Sequence, residues 1–150
     1  MRVIDDILDL SKVEAGKMVL EETDFDVHGL VGEIRTLLAP RKGVALIASI
    51  AGGVSRYAIG DPLRVRQVLL NIVGNALKFT ERGSITVHVS CMRGEPVSMR
   101  DTRRALRLFF SVADTGIGIP ADKISKLFKP FSQVDSSSER RRSGTGLGLI

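Results

Sequence analysis

Asn71, Asn75 and Lys78 follow one another at helical spacing in the run Asp61 to Thr80, DPLRVRQVLLNIVGNALKFT, and they share a stripe with Arg64 and Gln67. An amide carbonyl is a hard oxygen that suits a magnesium ion keeping most of its water, and an ammonium one turn further along can meet a phosphate. An ordinary solvated helix face would carry Glu–Lys pairs instead. From this stripe alone, a ligand-binding face and a merely polar outer face both remain open. Two glycine-rich segments shift the balance toward a nucleotide. The apolar run Arg107 to Asp114, RLFFSVAD, leads straight into Asp114-Thr-Gly-Ile-Gly-Ile-Pro120. Asp114 at the strand's end can accept a hydrogen bond from an exocyclic amine, while Gly116 and Gly118 let the backbone approach a flat ligand. Near the end of the sequence, the backbone N–H groups of Gly144, Gly146 and Gly148 in GTGLGL are of the kind that cradle phosphate oxygens.

The elements that must position these groups are visible in the periodicity. Asp61 caps a helix whose first turn suits Pro62, and Val65, Val68, Leu69, Ile72, Val73, Ala76 and Leu77 form its packing face. Met1 to Lys17 reads as a helix with Val3, Ile4, Ile7 and Leu8 on one side, ended by Gly16. A short extended segment, Glu21 to Val27, leads to a second helix near Leu30 to Ala39, broken by Pro40. Val44 to Ile50 and Ser84 to Ser90 read as strands, the latter alternating Ile85, Val87 and Val89 with polar residues. The polar stretch Cys91 to Ala105 reads as a mobile hairpin loop, and Pro120 starts a short helix carrying Ile124, Leu127 and Phe128. Strands and helices mix without regular βαβ alternation. The expected architecture is an α/β two-layer sandwich with helices on one face of a mixed sheet.

Composition narrows the function classes. A length of 150 residues allows about one domain with a sizeable core. No apolar run approaches the ~18 residues that span a bilayer, and no signal pattern opens the chain, so no membrane contact by residues 1–150 and a cytoplasmic setting are expected, with membrane anchoring of the parent protein left open. A single cysteine, Cys91, excludes an internal disulfide and a cysteine-based zinc site. The formal charge of +5 gathers in two loops, Arg100 to Arg107 and Arg140 to Arg142, without interleaved aromatic residues. That distribution argues against nucleic acid and for phosphate or an acidic partner domain. Gly116 to Ala121 formally fits the G-x-G-x-x-A dinucleotide fingerprint, but Glu139 lies among serines and arginines with no strand to carry it.

Four segments in order resemble the ATP-binding domain of sensor histidine kinases, within the GHKL ATPase superfamily and its Bergerat fold. Asn71 to Thr80 resembles the N box, DTGIGIP from Asp114 the G1 box, FKPF from Phe128 the F box, and GTGLGL from Gly144 the G2 box. Ile4 to Lys17 resembles the end of the second helix of the dimerisation and phosphoacceptor region. The resemblance therefore implies residues 1–20 as the end of that region and 21–150 as an ATPase domain that would continue beyond Ile150. It also implies ATP and Mg2+ as cofactors. Asn75 would ligate the ion with Asn71 beside it, and Lys78 would contact phosphate. Asp114 would bind the adenine amino group, with Gly116, Gly118 and Phe128 shaping the pocket. Gly144, Thr145, Gly146, Leu147 and Gly148 would hold the phosphates. Implied partners are the protein's own dimerisation domain and a response-regulator receiver, in a homodimeric parent.

Two details qualify the resemblance. Arg142 and Ser143 stand where an aromatic residue and glycines usually precede the G2 threonine, and Arg140 to Arg142 make the lid basic. Neither His28, followed by Gly-Leu-Val, nor His88, on the polar face of a strand, has the acidic neighbour of the family's acceptor. Transfer to a histidine preceding Met1 is the expectation, and a regulatory module that keeps the fold without activity is the alternative.

Overall fold

The helix from Pro62 to Phe79 organises the larger part of the chain. The structure is a computed structural model and describes residues 2–40, 42–98 and 101–126. By its contacts the chain divides into two units, Glu22–Gly116 and Met1–Glu21 with Ile117–Ile150.

In the first unit, strand β1 (Thr23–Asp26) leads into helix α2 (Val27–Leu37), followed by β2 (Val44–Ile50), β3 (Tyr57–Gly60), α3 (Pro62–Phe79), β4 (Gly83–Ser98) and β5 (Asp101–Asp114). The expected cap holds: the Asp61 carboxylate accepts from the Arg64 N–H at 3.0 Å, and Pro62 occupies the first turn. Leu69, Val73 and Ala76 are buried, with Val65, Leu70 and Leu77 packed at the margins. Val68 departs from expectation and is 54% exposed. It stands three residues before Asn71 and seven before Asn75, so the helical repeat aligns it with the polar stripe rather than with Leu69.

Sheet order is β2-β4-β5, with β2 parallel to β4 and β4 antiparallel to β5, which is the expected mixed sheet. Ile85 and Val87 of β4 point to the face covered by α2 and α3 and join Leu30, Ile34, Val44, Leu69, Val73 and Ala76 in one core. Val27, Val31, Val54 and Val89 form a second cluster. Each fully buried aliphatic side chain contributes about 1.5–3 kcal/mol of transfer free energy, so this one-sided packing is what holds α3 in place. The opposite face of β4 is more polar, with His88 exposed.

Helix α2 begins at Val27, earlier than expected. Asp26 caps it by accepting from Gly29 N–H at 2.8 Å, and Val27 N–H donates to the Arg56 carbonyl at 2.8 Å. β3 was not anticipated: four residues long, it exists by antiparallel pairing with β1, register Asp24↔Ile59, a partner more than thirty positions away. Within the expected loop from Cys91 to Ala105, the described residues 91–98 and 101–105 are instead strand. β4 and β5 continue their ladder through Arg93↔Leu106 to Ser98↔Asp101, with register shifts on both sides of Pro96. Backbone pairing satisfies the ladder whatever the side-chain polarity, and proline, which has no N–H to donate, falls at the irregularity.

In the second unit, α1 (Arg2–Glu14) ends as expected at Gly16, whose φ is +62°. Gly16 N–H donates to Val13 and Lys17 N–H to Lys12, the paired bonds of a Schellman stop. A 3-10 helix, Ala121–Lys126, follows Pro120 and includes Ile124; Leu127 and Phe128 lie outside the described residues. No helix among the described residues is long and apolar enough to cross a membrane.

Candidate nucleotide site

The C-terminal end of α3 meets the end of β5 at a single glycine. A Cβ built on Gly116 would lie 2.6 Å from the Phe79 carbonyl oxygen, 2.8 Å from Asp114 Oδ1 and 2.9 Å from Thr80 Oγ1. Such distances are closer than a carbon can approach, so only glycine lets the two ends touch. The requirement comes from the protein's own backbone, a reason that the sequence did not reveal. Gly118 has a different one: its φ of +69° is left-handed, while a Cβ there would meet nothing within 4 Å.

Asp114 pairs with Ile85 as the last residue of β5. Its Oδ1 accepts from Gly116 N–H at 2.8 Å, a bond across two residues that turns the carboxylate toward the loop and fixes one of its oxygens. Asp114 is exposed, so the other oxygen is available to a ligand. Thr115 locks the turn. Its N–H donates to the Ser84 carbonyl at 3.1 Å, and its Oγ1 accepts from Ser84 N–H at 3.0 Å. Gly83, with φ +120°, comes so close to the Thr115 hydroxyl that no Cβ fits.

On α3, Asn71, Asn75 and Lys78 are half-buried and follow at steps of four and three. The Lys78 ammonium lies 5.2 Å from the Phe79 ring centroid, and Arg64 donates to Gln67 Oε1 at 2.9 Å further up the stripe. Thus Asn71, Asn75, Lys78, Asp114 and Gly116 belong to one unit, with Gly116 joining the helix end to the strand end. Phe128, Gly144, Thr145, Gly146, Leu147, Gly148 and the Arg140 to Arg142 lid lie outside the described residues.

Both histidines are exposed. His28 sits in the first turn of α2, and His88 Nδ1 is 2.8 Å from Ser49 Oγ. Sequence reasoning passed over Thr80, which is 2% exposed, and over the Gly83–Thr115 contact. A threonine closing a helix and one inside an Asp-x-Gly turn carry no distinctive local signal.

Residues 60–150 match the family described as histidine kinase-, DNA gyrase B-, and HSP90-like ATPase. The chain belongs to that family. Among curated relatives, the signal transduction histidine-protein kinase BarA of Escherichia coli K12 is 43% identical over 153 residues, covering 100% of the chain and 16% of BarA. Sensor protein GacS of Pseudomonas syringae pv. syringae is 39% identical, again over 100% of the chain and 16% of the relative. Histidine kinase 3 of Arabidopsis thaliana is 36% identical over 98% of the chain and 18% of its own length. The chain thus spans less than a fifth of these proteins. Among solved structures, full-length ShkA in complex with AMPPNP matches with a TM-score of 0.76 at 30% identity, covering 99% of the chain and 28% of ShkA. A nucleotide-free catalytic domain of the histidine kinase ThkA matches with a TM-score of 0.58 at 28% identity, over 86% of the chain and 75% of that domain.

Proposed function

We propose that this ATPase-family chain is the ATP-binding catalytic part of a sensor histidine kinase and passes the γ-phosphate of ATP to a histidine elsewhere in the parent protein. The observation that carries the reading is the Asp114 carboxylate, pinned by Gly116 N–H at the junction where β5 meets the end of α3. Its outer oxygen accepts from the adenine 6-amino group. On the adjoining helix, Asn75 would offer one hard oxygen to a magnesium ion, which would supply positive charge to the phosphates. Asn71 borders that ion, and Lys78 contacts phosphate as a point charge.

An amide at Asn71 has no basic oxygen with which to take a proton from water. That favours transfer to another acceptor over hydrolysis. Gly144, Thr145, Gly146, Leu147 and Gly148 hold the phosphates in this reading, and Phe128 flanks the pocket. Residues 1–20, which carry α1 (Arg2–Glu14), form the end of the dimerisation region in this reading, with a receiver domain as the downstream partner. The kinase names of BarA and GacS, and the AMPPNP bound by ShkA, support the assignment. Calorimetric titration of the intact protein with ATP, with and without magnesium, tests it; nucleotide affinity that magnesium does not strengthen would overturn the metal role.

A further inference from the structure

Thr80 is 2% exposed, and among the described residues its Oγ1 has no hydrogen-bond partner. Its backbone is fixed, because Thr80 N–H donates to the Ala76 carbonyl at 3.0 Å. The hydroxyl therefore has only its own rotation to find a partner. Its surroundings are unusual for a buried threonine. On the side of Gly116 where a Cβ is missing, Thr80 Oγ1, Asp114 Oδ1 and the Phe79 carbonyl oxygen all fall within 3 Å of one point. Of these three oxygens, the carbonyl and the carboxylate accept only, so the threonine holds the one proton to give. A buried donor left unpaired destabilises the state that contains it, and nearly all such groups in folded proteins find a partner.

We propose that Thr80 is a positioning residue for Asp114. When nucleotide binds, its hydroxyl donates to the same carboxylate oxygen that Gly116 N–H holds, so that the other oxygen is fixed toward the purine amino group. The inference rests on Asp114 as the adenine acceptor and adds what orients it. Two donors on Oδ1, one from the backbone and one from the helix end, remove the rotation that Gly116 alone permits. The unliganded protein carries an unpaired hydroxyl, and binding relieves it. Thr80 thereby contributes to purine discrimination without touching the ligand.

The test uses Thr80→Val, which keeps the shape and removes the proton, and Thr80→Ser, which keeps the proton, both in the intact protein. Thr80→Val is expected to leave Tm of the unliganded protein unchanged or raised, because the lost hydroxyl had no partner there. Its preference for ATP over GTP should fall roughly five- to tenfold, the worth of one hydrogen bond. Thr80→Ser should keep the preference within about twofold. A role in packing alone predicts the reverse. Lowered Tm in Thr80→Val with an unchanged ATP to GTP ratio, or equal weakening of both nucleotides, would overturn the proposal. If the unmutated protein shows no preference, or Asp114→Asn leaves it intact, then Asp114 is not the purine acceptor and both readings fall together.

Discussion

Thr115 and Ser84 exchange two hydrogen bonds, and in one of them the Thr115 side chain stands in for a main-chain carbonyl: Ser84 N–H donates to Thr115 Oγ1 at 3.0 Å, while Thr115 N–H donates to the Ser84 carbonyl at 3.1 Å. The β4–β5 ladder is thereby extended by one residue past Asp114, and the chain cannot turn before that point. Gly116 is then delivered against the Phe79 carbonyl. A short chain of contacts, Ser84 to Thr115 to Gly116 to Phe79, fixes the distance between the Asp114 carboxylate and the end of α3.

Gly116→Ala is predicted to destabilise the fold by about 1–3 kcal/mol, because the new methyl group must push the α3 carbonyl away from β5. Gly118→Ala adds no collision and should cost about 1–2 kcal/mol through its positive φ alone. Denaturant unfolding separates the two. Nucleotide affinity should suffer more in Gly116→Ala, since it displaces the helix end that carries Lys78. Equal effects at both positions would mean that the close approach is not under strain.

Local signals made α3 legible in the sequence: a capping aspartate, a proline in the first turn and an apolar repeat all lie within twenty residues. The same holds for the Schellman stop at Gly16 and for the alternation of Ile85, Val87 and Val89. What escaped was decided by distant partners. β3 exists because β1 lies beside it, and the polar outer parts of β4 and β5 exist because they pair with each other. Within the candidate site, Asp114 and the stripe of Asn71, Asn75 and Lys78 could be proposed from residue types, and the structure places them in one unit. That Gly116 serves a helix–strand junction could not, because the atom that it accommodates belongs to a residue thirty-seven positions earlier.

Asp26 ties helix α2 to the loop before β3. One of its oxygens caps the helix by accepting from Gly29 N–H, and the other accepts from Arg56 Nε at 3.0 Å. The Gly29 amide first, and the Arg56 guanidinium after it, hold this carboxyl below the usual carboxylate range. A carboxyl whose pKa is lowered by folding contributes stability that is fully present above about pH 4 and is lost as pH falls through its lower folded value. Thermal melts from pH 6 downward should therefore fall less steeply for Asp26→Ala than for the unmutated chain. High salt should weaken only the Arg56 share, because the ion pair is exposed to solvent. Parallel acid profiles would remove Asp26 from the account.

Asp114→Asn should weaken ATP and relax the preference for adenine over guanine. In the proposed site the carboxylate would accept from adenine's amino group and repel the carbonyl oxygen that guanine presents there, whereas the amide could offer that oxygen a proton. Once a bound nucleotide covers Asp114, a polar group left unmet there costs about 1–3 kcal/mol, so roughly ten- to a hundredfold of discrimination depends on the change. Competition binding of ATP and GTP on both proteins measures it, and an unchanged ratio would contradict the assignment.

Asn75→Ala and Lys78→Ala should cost affinity for MgATP far more than for adenosine, which brings no phosphate and no metal. Removing one charged contact to phosphate is worth about 1.5–3 kcal/mol, or roughly ten- to a hundredfold, while the adenosine constant should stay within about twofold. Calorimetry against both ligands reads the difference. Equal losses would show that the α3 stripe supports the fold rather than the ligand.

The last prediction concerns the acceptor. Phosphorylation of histidine requires an imidazole within reach of the γ-phosphate, with a neighbour that helps it lose a proton. His28 lies in the first turn of α2, followed by Gly29, and His88 stands on β4 with its Nδ1 beside the Ser49 hydroxyl. Neither has an acidic residue next to it in sequence, and neither lies on the helix stripe of Asn71, Asn75 and Lys78. Incubated alone with γ-labelled ATP, residues 1–150 should therefore gain no acid-labile label, and Asn71, an amide where a basic carboxylate would promote hydrolysis, should leave bound ATP largely intact. Supplying the dimerisation region with its histidine should restore transfer to that histidine. Acid-labile label on residues 1–150 that disappears in His28→Gln or His88→Gln would place the acceptor within this chain.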